Sequence, residues 1–433
     1  MDNEQLLRKK IHSLIPGGAH TYSRGDDQFP ENAPTLLENA KDCYVWGSDG
    51  KKYLDYGMGL RSVTIGYANK DIDNAAIAEI RKGTNLPKTS MTELKAAEKI
   101  LGIFKGMDMV KFAKNGSTVT TAAVKLARAY TGRKYILRCL EHPFFSYDDW
   151  FIGDTIMNRG IPPEISSLTL NFKFNDINSL KNVFSKHKDQ IACVIMEPTT
   201  HVQPQPGFLD EVLEMTHKNG AVFISDEISC TFRVGMATTA DCYNVIPDLI
   251  TVGKGIANGY PIDALLGKRE IMRIGGIDHN EERVFLTSTT FGGEMASLGA
   301  MMATIDYFKK YKVLRYLWDY NKKLIEGVNK ISDKLNIKDK FYFEGFPGRV
   351  NYVAKDNNGN ASFEFRTLFS QEMIRNGVMM AWVTNCYAHK KEHLDFTLKA
   401  VRNSLGIYKK ALKEGINKYL KGRAIKPVFR KYN

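Results

Sequence analysis

The spacing of hydrophobic and polar positions changes along the chain and predicts its elements. From about residue 70, short continuous apolar runs alternate with stretches whose apolar residues recur at helical spacing, as Val119, Ala123 and Leu126 do. Continuous apolar runs of four to six residues are typical of strands buried on both faces of a sheet. The alternation therefore predicts an α/β layer with a mostly parallel sheet.

The predicted elements of this layer follow one another closely. The strands are expected at 109–114, 134–139, 191–196, 221–225, 249–252 and 264–266. The helices are expected at 75–82, 91–104, 117–130 and 209–218. Before them, 42–56 reads as two short strands joined by a Ser-Asp-Gly turn at 48–50.

The remaining third of the chain has a different pattern. A long helical region is predicted at 295–330, followed by glycine-punctuated strands near 341–353 and helices near 363–376 and 391–420. A chain of 433 residues is long for one core, which also favours more than one domain. We expect an N-terminal segment at 1–65, a large domain at 66–310 and a smaller α+β domain at 311–433.

Charge changes this picture only at one end of the chain. The formal net charge is +13, from 61 Lys and Arg against 48 Asp and Glu. Residues 401–433 contain ten basic residues and one acid, so they carry +9 of that excess. A binder of nucleic acid or anionic surfaces is therefore an alternative, and a steep salt dependence of binding would be its signature. No nucleic-acid-binding motif accompanies the charge, so we expect no nucleic-acid partner.

Cysteine usage and hydropathy suggest a reduced, cytoplasmic protein. The six cysteines are sparse and no CxxC motif occurs, so we expect neither a disulfide framework nor a metal site. The first residues are polar and lack the apolar core of a signal peptide. No apolar run approaches the ~18 residues that span a bilayer, so no membrane association is expected.

Two residues at predicted strand ends carry the candidate chemistry. Asp226 ends the strand at 221–225, at the carboxyl edge where open α/β sheets bind ligands. Lys254 follows the strand at 249–252 and stands between two glycines, which leaves room for a planar ligand. Taken alone, the aspartate could be a cap and the lysine a solvated surface residue. Together they suit pyridoxal phosphate, which needs an amine for a Schiff base and a carboxylate that keeps the pyridine nitrogen protonated.

A phosphate needs backbone donors at a helix N-terminus, and one predicted helix offers them. Gly116, Ser117 and Thr118 stand between a short strand and the helix at 117–130. An ordinary Ser or Thr cap is the simpler interpretation of these residues alone. A second polar cluster rich in glycine, 288–293, also precedes a helix.

With these motifs in place, the chain resembles the class III aminotransferases, within the fold type I enzymes that use pyridoxal phosphate. Among them it is most similar to glutamate-1-semialdehyde 2,1-aminomutases. The resemblance covers nearly the whole chain. The matching runs, in order, are 15–18, 49–55, 125–133, 196–198, 226–228, 232–233, 247–249, 253–254 and 290–293.

The resemblance assigns roles to the residues of these runs. It makes Lys254 the Schiff-base lysine and Asp226 the partner of the pyridine nitrogen. It also implies cofactor contacts by two groups of residues: Gly116, Ser117 and Thr118 at the phosphate, and Ile228 and Glu197 around the ring. Thr290 would reach the phosphate of a neighbouring subunit, which implies a homodimer with shared active sites.

The resemblance leaves the stacking ring open and implies an arginine for the substrate. Either Phe144 or Phe145 occupies the place of the aromatic residue that stacks on the cofactor, although adjacent phenylalanines more often belong to a core. Arg24 matches an arginine that binds the substrate carboxylate, and a guanidinium suits that task. In a loop without the resemblance, it would equally be a surface arginine.

Two segments depart from the aminomutase pattern on the substrate side. Residues 57–61 replace a Gly-Ser-Trp-Gly stretch and introduce Arg61, a candidate for substrate binding. Residues 381–385 replace a Ser-Ala-Phe-Glu stretch and lack its glutamate. We therefore expect an aminotransferase that moves an amino group between a donor and a small, anionic aldehyde or ketone. Intramolecular transfer of the aminomutase type is the alternative, and a catalytically silent relative is disfavoured because the cofactor motifs are complete.

Overall fold

The chain forms two compact units in a computed structural model that describes residues 3–433. One unit combines the chain up to residue 69 with residues 315–428. The other combines residues 70–314 with residues 429–433. The domain boundaries expected at 65 and 310 stay a prediction, and each unit is described by itself below.

The strands are short, and none exceeds six residues in the described chain. In chain order they are β1 Leu37–Lys41, β2 Tyr44–Gly47, β3 Lys52–Asp55, β4 Met109–Ala113, β5 Tyr135–Cys139, β6 Thr169–Phe172, β7 Ile191–Met196, β8 Val222–Asp226, β9 Leu249–Val252, β10 Asp263–Gly267, β11 Phe341–Phe346, β12 Arg349–Ala354 and β13 Val378–Met379.

The helices range from single turns to 24 residues. In chain order they are α1 Asn3–Leu14, α2 Met58–Arg61, α3 Lys70–Ile80, α4 Met91–Leu101, α5 Gly116–Thr131, α6 Asp149–Ile152, α7 Pro163–Ser166, α8 Ile177–Lys186, α9 Phe208–Lys218, α10 Thr238–Tyr243, α11 Arg269–Met272, α12 Met295–Tyr311, α13 Val313–Lys334, α14 Phe363–Arg375 and α15 Lys391–Glu414.

A seven-stranded sheet organises the unit built on residues 70–314. Its strand order is β4-β10-β9-β8-β7-β5-β6. β10 runs antiparallel to both of its neighbours, and the other pairs are parallel. This confirms the predicted α/β class with a mostly parallel sheet.

The continuous apolar run of β7 follows from burial on both faces of this sheet. All six residues of β7 are buried. Cys193 and Ile195 belong to one hydrophobic cluster, which includes residues of α5. Val194 and Met196 belong to another, which includes residues of α8 and α9. Because successive side chains point to opposite faces, a strand between two cores must be apolar at every position.

The other unit is built from both ends of its sequence. Its four-stranded sheet has the order β1-β2-β3-β13, in which β13 runs parallel to β3. β11 and β12 form an antiparallel hairpin. One large hydrophobic cluster joins residues of α13, α14 and α15 to residues of both sheets. The unit therefore has the α+β character that the sequence predicts for the C-terminal part.

Three local features differ from the sequence pattern. The helical region predicted at 295–330 consists of two helices, because Lys312 adopts a left-handed conformation with φ of 50°. The segment before residue 42 contributes a third strand, β1, to the predicted hairpin. β6 was not predicted, because it is short and carries polar residues.

Among the residues described, no helix is both long and apolar enough to cross a membrane.

Candidate active site

The carboxyl ends of the parallel strands bring the candidate residues to one edge of the sheet. Asp226 is the last residue of β8, and Lys254 lies two residues after β9. Strands β8 and β9 are neighbours, with Asp226 opposite Thr251 in their register. Adjacent parallel strands thus bring the segments that carry these two residues to the same part of the sheet edge.

Asp226 is a buried carboxylate whose bonds orient one of its oxygens. Its side chain is 4% exposed. Oδ1 accepts hydrogen bonds from the Thr251 hydroxyl at 3.0 Å and from the backbone N–H of Ile228 at 3.1 Å. Burial, and next the charge of Glu197, raise the pKa of Asp226 to about 7. A positively charged partner at this carboxylate would oppose both effects.

Lys254 begins a 3-10 turn, and its own backbone is left-handed. Its φ is 46°, a conformation that is uncommon outside glycine and that is often retained at functional sites. Its Nζ donates a hydrogen bond to the Ser229 hydroxyl at 2.7 Å. Gly253, directly before it, has an extended backbone with φ of −178°. The turn thus directs a lysine from the end of β9 toward the loop after β8.

The predicted phosphate site is the N-terminus of α5. Asn115 caps this helix, and its Oδ1 accepts from the N–H of Thr118 at 2.9 Å. Ser117 is buried, and its hydroxyl accepts from the N–H of Tyr147 at 3.0 Å. A Cβ on Gly116 would lie 2.8 Å from Cδ1 of Ile228, so glycine allows that side chain to approach the helix start. The first turn of a helix presents backbone donors that suit a phosphate.

Glu197 and Ile228 lie on the same side of the sheet as Asp226. Glu197 directly follows β7, and its backbone N–H donates to Nδ1 of His142 at 2.9 Å. Its carboxylate lies near enough to Asp226 for its charge to raise the pKa of that residue. Ile228 is 8% exposed, two residues after Asp226. The buried carboxylate, the lysine and the helix terminus together form a donor set that fits pyridoxal phosphate.

The two phenylalanines occupy different environments. Phe145 is 1% exposed and packs against Phe151 at 5.7 Å, and its carbonyl oxygen accepts from the Thr120 hydroxyl. Phe144 is 47% exposed and meets the same Phe151 at 5.6 Å. Phe145 is therefore fixed in the core, and the ring of Phe144 retains accessible surface for a ligand.

Thr290 lies in an exposed stretch between β10 and α12. The turn there is closed by a hydrogen bond from the N–H of Gly292 to the carbonyl of Thr289. The neighbouring Phe291 is 59% exposed. An exposed aromatic residue beside an exposed threonine is compatible with the predicted contact to a second subunit.

Both candidate arginines belong to the unit built from the two ends of the chain. Arg24 is exposed in a short 3-10 turn, Tyr22–Arg24. Arg61 ends α2, whose four residues have φ values of 42°, 57°, 58° and 74°. This left-handed turn follows Asp55, whose buried carboxylate accepts from the N–H of Gly57 at 2.6 Å and of Met58 at 2.8 Å. Asp55 thus fixes the backbone at the start of the strained segment that carries Arg61.

Some polar residues near this edge were not identified from the sequence. Glu227 is fully buried, and it accepts from the N–H groups of Thr238 and Thr239 at the start of α10. Asp263, the first residue of β10, is 7% exposed. Its sequence signal is an aspartate at the start of an otherwise apolar strand, which is also compatible with a turn.

Comparisons with known proteins agree with this geometry. The family model described as aminotransferase class-III matches residues 26–341. A 3-aminobutyryl-CoA aminotransferase from Cloacimonas acidaminovorans is 30% identical, over 94% of this chain and 97% of that protein. A glutamate-1-semialdehyde 2,1-aminomutase from Syntrophobacter fumaroxidans is 27% identical, over 93% of this chain and 97% of that protein.

Solved structures share the fold. The FumI protein of Sphingopyxis sp. MTA144 has a TM-score of 0.87 at 24% identity, covering 95% of this chain and 97% of that one. A glutamate-1-semialdehyde aminomutase of Pseudomonas aeruginosa has a TM-score of 0.79 at 20% identity, with 94% of each chain covered.

The chain belongs to the class III aminotransferases. It is therefore a fold type I enzyme that depends on pyridoxal 5'-phosphate, an aminotransferase or an aminomutase of this family. Its substrates as an aminotransferase are an amino donor and a keto or aldehyde acceptor. The sequence predictions of family, fold class and cofactor are confirmed.

Proposed function

We propose that this enzyme transfers an amino group between a donor and a small, anionic aldehyde or ketone, and that Lys254 and Asp226 carry the reaction. The observation that supports the assignment is that the buried carboxylate of Asp226, the Lys254 side chain and the N-terminus of α5 lie at one edge of the sheet. The cofactor, when bound, supplies the electron sink for the bond at the substrate carbon. The protein must then bind, orient and move protons.

Each residue at the sheet edge has one task in this proposal. Asp226 holds a proton on the pyridine nitrogen, because a carboxylate beside that atom favours its charged form. Lys254 Nζ would attach the cofactor and would carry the proton that leaves the substrate carbon. Ser117, Thr118 and the backbone at Gly116 bind the phosphate. Ile228 and Phe144 pack on the two faces of the ring, and Glu197 lies beside it.

Two further parts of the proposal concern the substrate and the second subunit. Arg24 and Arg61 bind an anionic group of the substrate, because a guanidinium matches a carboxylate in charge and shape. Thr290 binds the phosphate at the neighbouring subunit's site, so the active form is a homodimer. The Cloacimonas relative is named for 3-aminobutyryl-CoA, so an amino compound with its amine at the β carbon of an acyl group is one candidate for the donor.

Absorbance spectroscopy tests the role of Lys254. Holoenzyme should absorb visible light, and a productive amino donor should abolish that band. Lys254→Ala should lose covalent attachment of the cofactor and at least ~100-fold in kcat. Lys181→Ala is the matched control, because Lys181 is an exposed lysine on α8 in the same unit. Full turnover by Lys254→Ala would overturn the assignment.

A single-substrate experiment separates aminotransferase from aminomutase. With an amino donor and no acceptor, an aminotransferase stops after one turnover per site. An aminomutase continues to convert its substrate to the isomer, because both half-reactions occur on one molecule. We expect the reaction to stop and to resume when a carbonyl compound is added. Continued isomerisation of a single substrate would favour the aminomutase alternative.

A further inference from the structure

Asp263 brings another buried carboxylate to the same edge as Lys254. It is the first residue of β10, which runs antiparallel to both β4 and β9. In register it lies opposite Ala113, the last residue of β4, while Ala264 lies opposite Val252 at the end of β9. Because β10 runs opposite to β4 and β9, it begins at the edge of the sheet where those two strands end. The first residue of β10 therefore lies beside their carboxyl ends.

The carboxylate of Asp263 fills the space beside two glycines of the site. A Cβ on Gly253 would lie 1.7 Å from its Oδ1, far inside any allowed contact. A Cβ on Gly116 would lie 3.6 Å from the same oxygen. The group therefore lies against the backbone directly before Lys254 and near the first residue of α5.

The charges around Asp263 make Lys254 its most direct cation. Burial raises the pKa of Asp263 well above its usual range, and the charge of Lys254 is the largest effect that lowers it. The charge of Asp226 raises this pKa to a smaller extent, and the charge of Lys114 lowers it to a still smaller extent. Lys114 has its own partner, since its Nζ lies 2.9 Å from the Glu294 carboxylate.

The other carboxylates considered at this edge are Glu197 and Asp226. Glu197, after β7, raises the pKa of Asp226. Asp226 faces the pyridine nitrogen in the proposed function. Ser229 is a neutral acceptor for Lys254. The charge of Lys254 acts on both Asp226 and Asp263, and because Asp226 would face the pyridinium, Asp263 is the carboxylate positioned to balance a charge on the lysine.

We propose that Asp263 is a positioning residue that stabilises the ammonium form of Lys254 when the lysine has taken a proton from the substrate carbon. The proposal rests on the proposed function, in which Lys254 is the base. In this step the C–H bond breaks, an N–H bond forms on Nζ, and the electron pair stays with the carbon and the bound cofactor. The charge that forms on Nζ favours the ionised form of Asp263, and the ionised carboxylate in turn lowers the energy of the cation, as a buried aspartate does for a catalytic imidazole.

The first test measures Lys254 itself in the cofactor-free protein. Acetic anhydride labelling over a pH series, with the Lys254 peptide quantified by mass spectrometry, gives the titration midpoint of the amine. Asp263→Asn keeps the shape of the side chain and removes its charge. We expect its midpoint to fall by at least about one pH unit, because the ammonium loses a neighbouring negative charge.

The second test uses the holoenzyme. In Asp263→Asn we expect kcat to fall about tenfold or more while KM stays within about threefold, since the ammonium forms only during the reaction. Asp263→Ser removes the charge in a smaller side chain and should give the same two results. Asp248→Asn is the control, because Asp248 is a buried carboxylate in the same unit that pairs with Lys268 at 2.6 Å.

The outcomes separate this inference from the proposed function. A Lys254 midpoint in Asp263→Asn and Asp263→Ser equal to that in Asp248→Asn overturns the role of Asp263 alone. Loss of folded protein in both Asp263 variants, with Asp248→Asn folded, makes Asp263 a structural residue and also overturns it. Retention of full turnover by Lys254→Ala instead overturns the assignment of the base.

Discussion

At the scale of single residues, burial decides which protonation state each site residue prefers. Asp226 and Asp263 are both buried, and burial is the largest cause that raises the pKa of each carboxyl. Both groups therefore depend on a neighbouring cation to become ionised. For Asp226 that cation is the proposed pyridinium, and for Asp263 it is Lys254.

Cofactor binding should depend on pH through Asp226. Because its pKa is about 7 without the cofactor, Asp226 must release a proton when a pyridinium binds below that pH. We expect the Kd of pyridoxal phosphate to rise by up to about tenfold for each pH unit below 7. Asp226→Asn should bind more weakly at pH 8 and should lose this pH dependence. Absorbance titrations between pH 5.5 and 8 measure it, and an unchanged slope in Asp226→Asn would contradict the assignment.

A buried histidine in the other unit should make the protein sensitive to acid. His389 is fully buried, and its Nδ1 accepts from the N–H of Cys386 at 3.1 Å. Burial lowers its pKa to about 3, whereas the unfolded chain takes up the proton near 6.5. Between pH values of about 3 and 6.5 the unfolded state therefore binds more protons than the folded state. Stability therefore falls as the pH falls from 6.5, by up to about 1.4 kcal/mol per unit from this group.

His389→Gln tests this linkage. Its urea midpoint should change less between pH 7 and 4.5 than that of the wild type, because glutamine has no proton to take up. His20→Gln, at an exposed histidine of the same unit, should retain the wild-type slope. Equal slopes in the two variants would show that acid acts on other groups.

At the scale of elements, two helical glycines should respond oppositely to the same substitution. Gly406 lies within α15, and a Cβ added there would meet no packing partner within 4 Å. On α12, a Cβ at Gly299 would lie 2.7 Å from Cγ of Glu79 and 2.9 Å from the carbonyl oxygen of Ala75. Gly299 therefore permits the close approach of α12 to α3.

We expect Gly406→Ala to stabilise the protein by about 0.5–1 kcal/mol through helix propensity alone. Gly299→Ala should destabilise it by about 1–3 kcal/mol, because the helices must separate or the side chain of Glu79 must move. Urea unfolding measures both differences. A destabilised Gly406→Ala would mean that the helix is packed more tightly there than the structure shows.

The elements that the sequence predicted well are those with a strong periodic signal. Strands buried on both faces, such as β7 and β8, appear as continuous apolar runs, and Asp226 is recognised because it ends one of them. Asp263 was missed because a sequence does not give strand direction, so the start of an antiparallel strand is not recognised as part of the carboxyl edge. The break at Lys312 was missed because a left-handed lysine has no glycine or proline signal.

Side-chain packing distinguishes neighbouring residues that the periodicity of the sequence does not separate. Phe144 and Phe145 are chemically identical, and only the structure separates the exposed ring from the one in the core. The arginines are a similar case. A loop sequence gives the identity of Arg61, but the left-handed turn that carries it depends on hydrogen bonds to Asp55.

At the scale of the whole molecule, the proposed sharing of Thr290 can be tested in mixed dimers. Co-expression of Lys254→Ala and Thr290→Val subunits with two different tags allows the mixed dimer to be purified. One of its two sites would then combine an intact Lys254 with an intact Thr290. We expect about half of the wild-type activity per dimer, whereas each variant alone stays far below it. No recovery in the mixed dimer would place Thr290 outside the partner's site.

The basic C-terminal segment also has a structural explanation at this scale. Arg423 donates to the carbonyl oxygen of Asp26, and the N–H of Lys426 donates to that of Asp27. Part of the segment that carries the +9 charge is therefore bound to the N-terminal part of the same unit. Its charge lies on a packed piece of the fold, which agrees with an ordinary solvated surface.

The division of the chain into two units has a consequence for its synthesis on the ribosome. Residues 70–314 are contiguous, so almost all of that unit has been made before the rest of the other unit begins. The first 69 residues, by contrast, must wait for partners that are translated last. At typical elongation rates this delay is on the order of tens of seconds. One edge of newly made β3 therefore stays unpaired until β13 is translated, a period in which a chaperone would protect it.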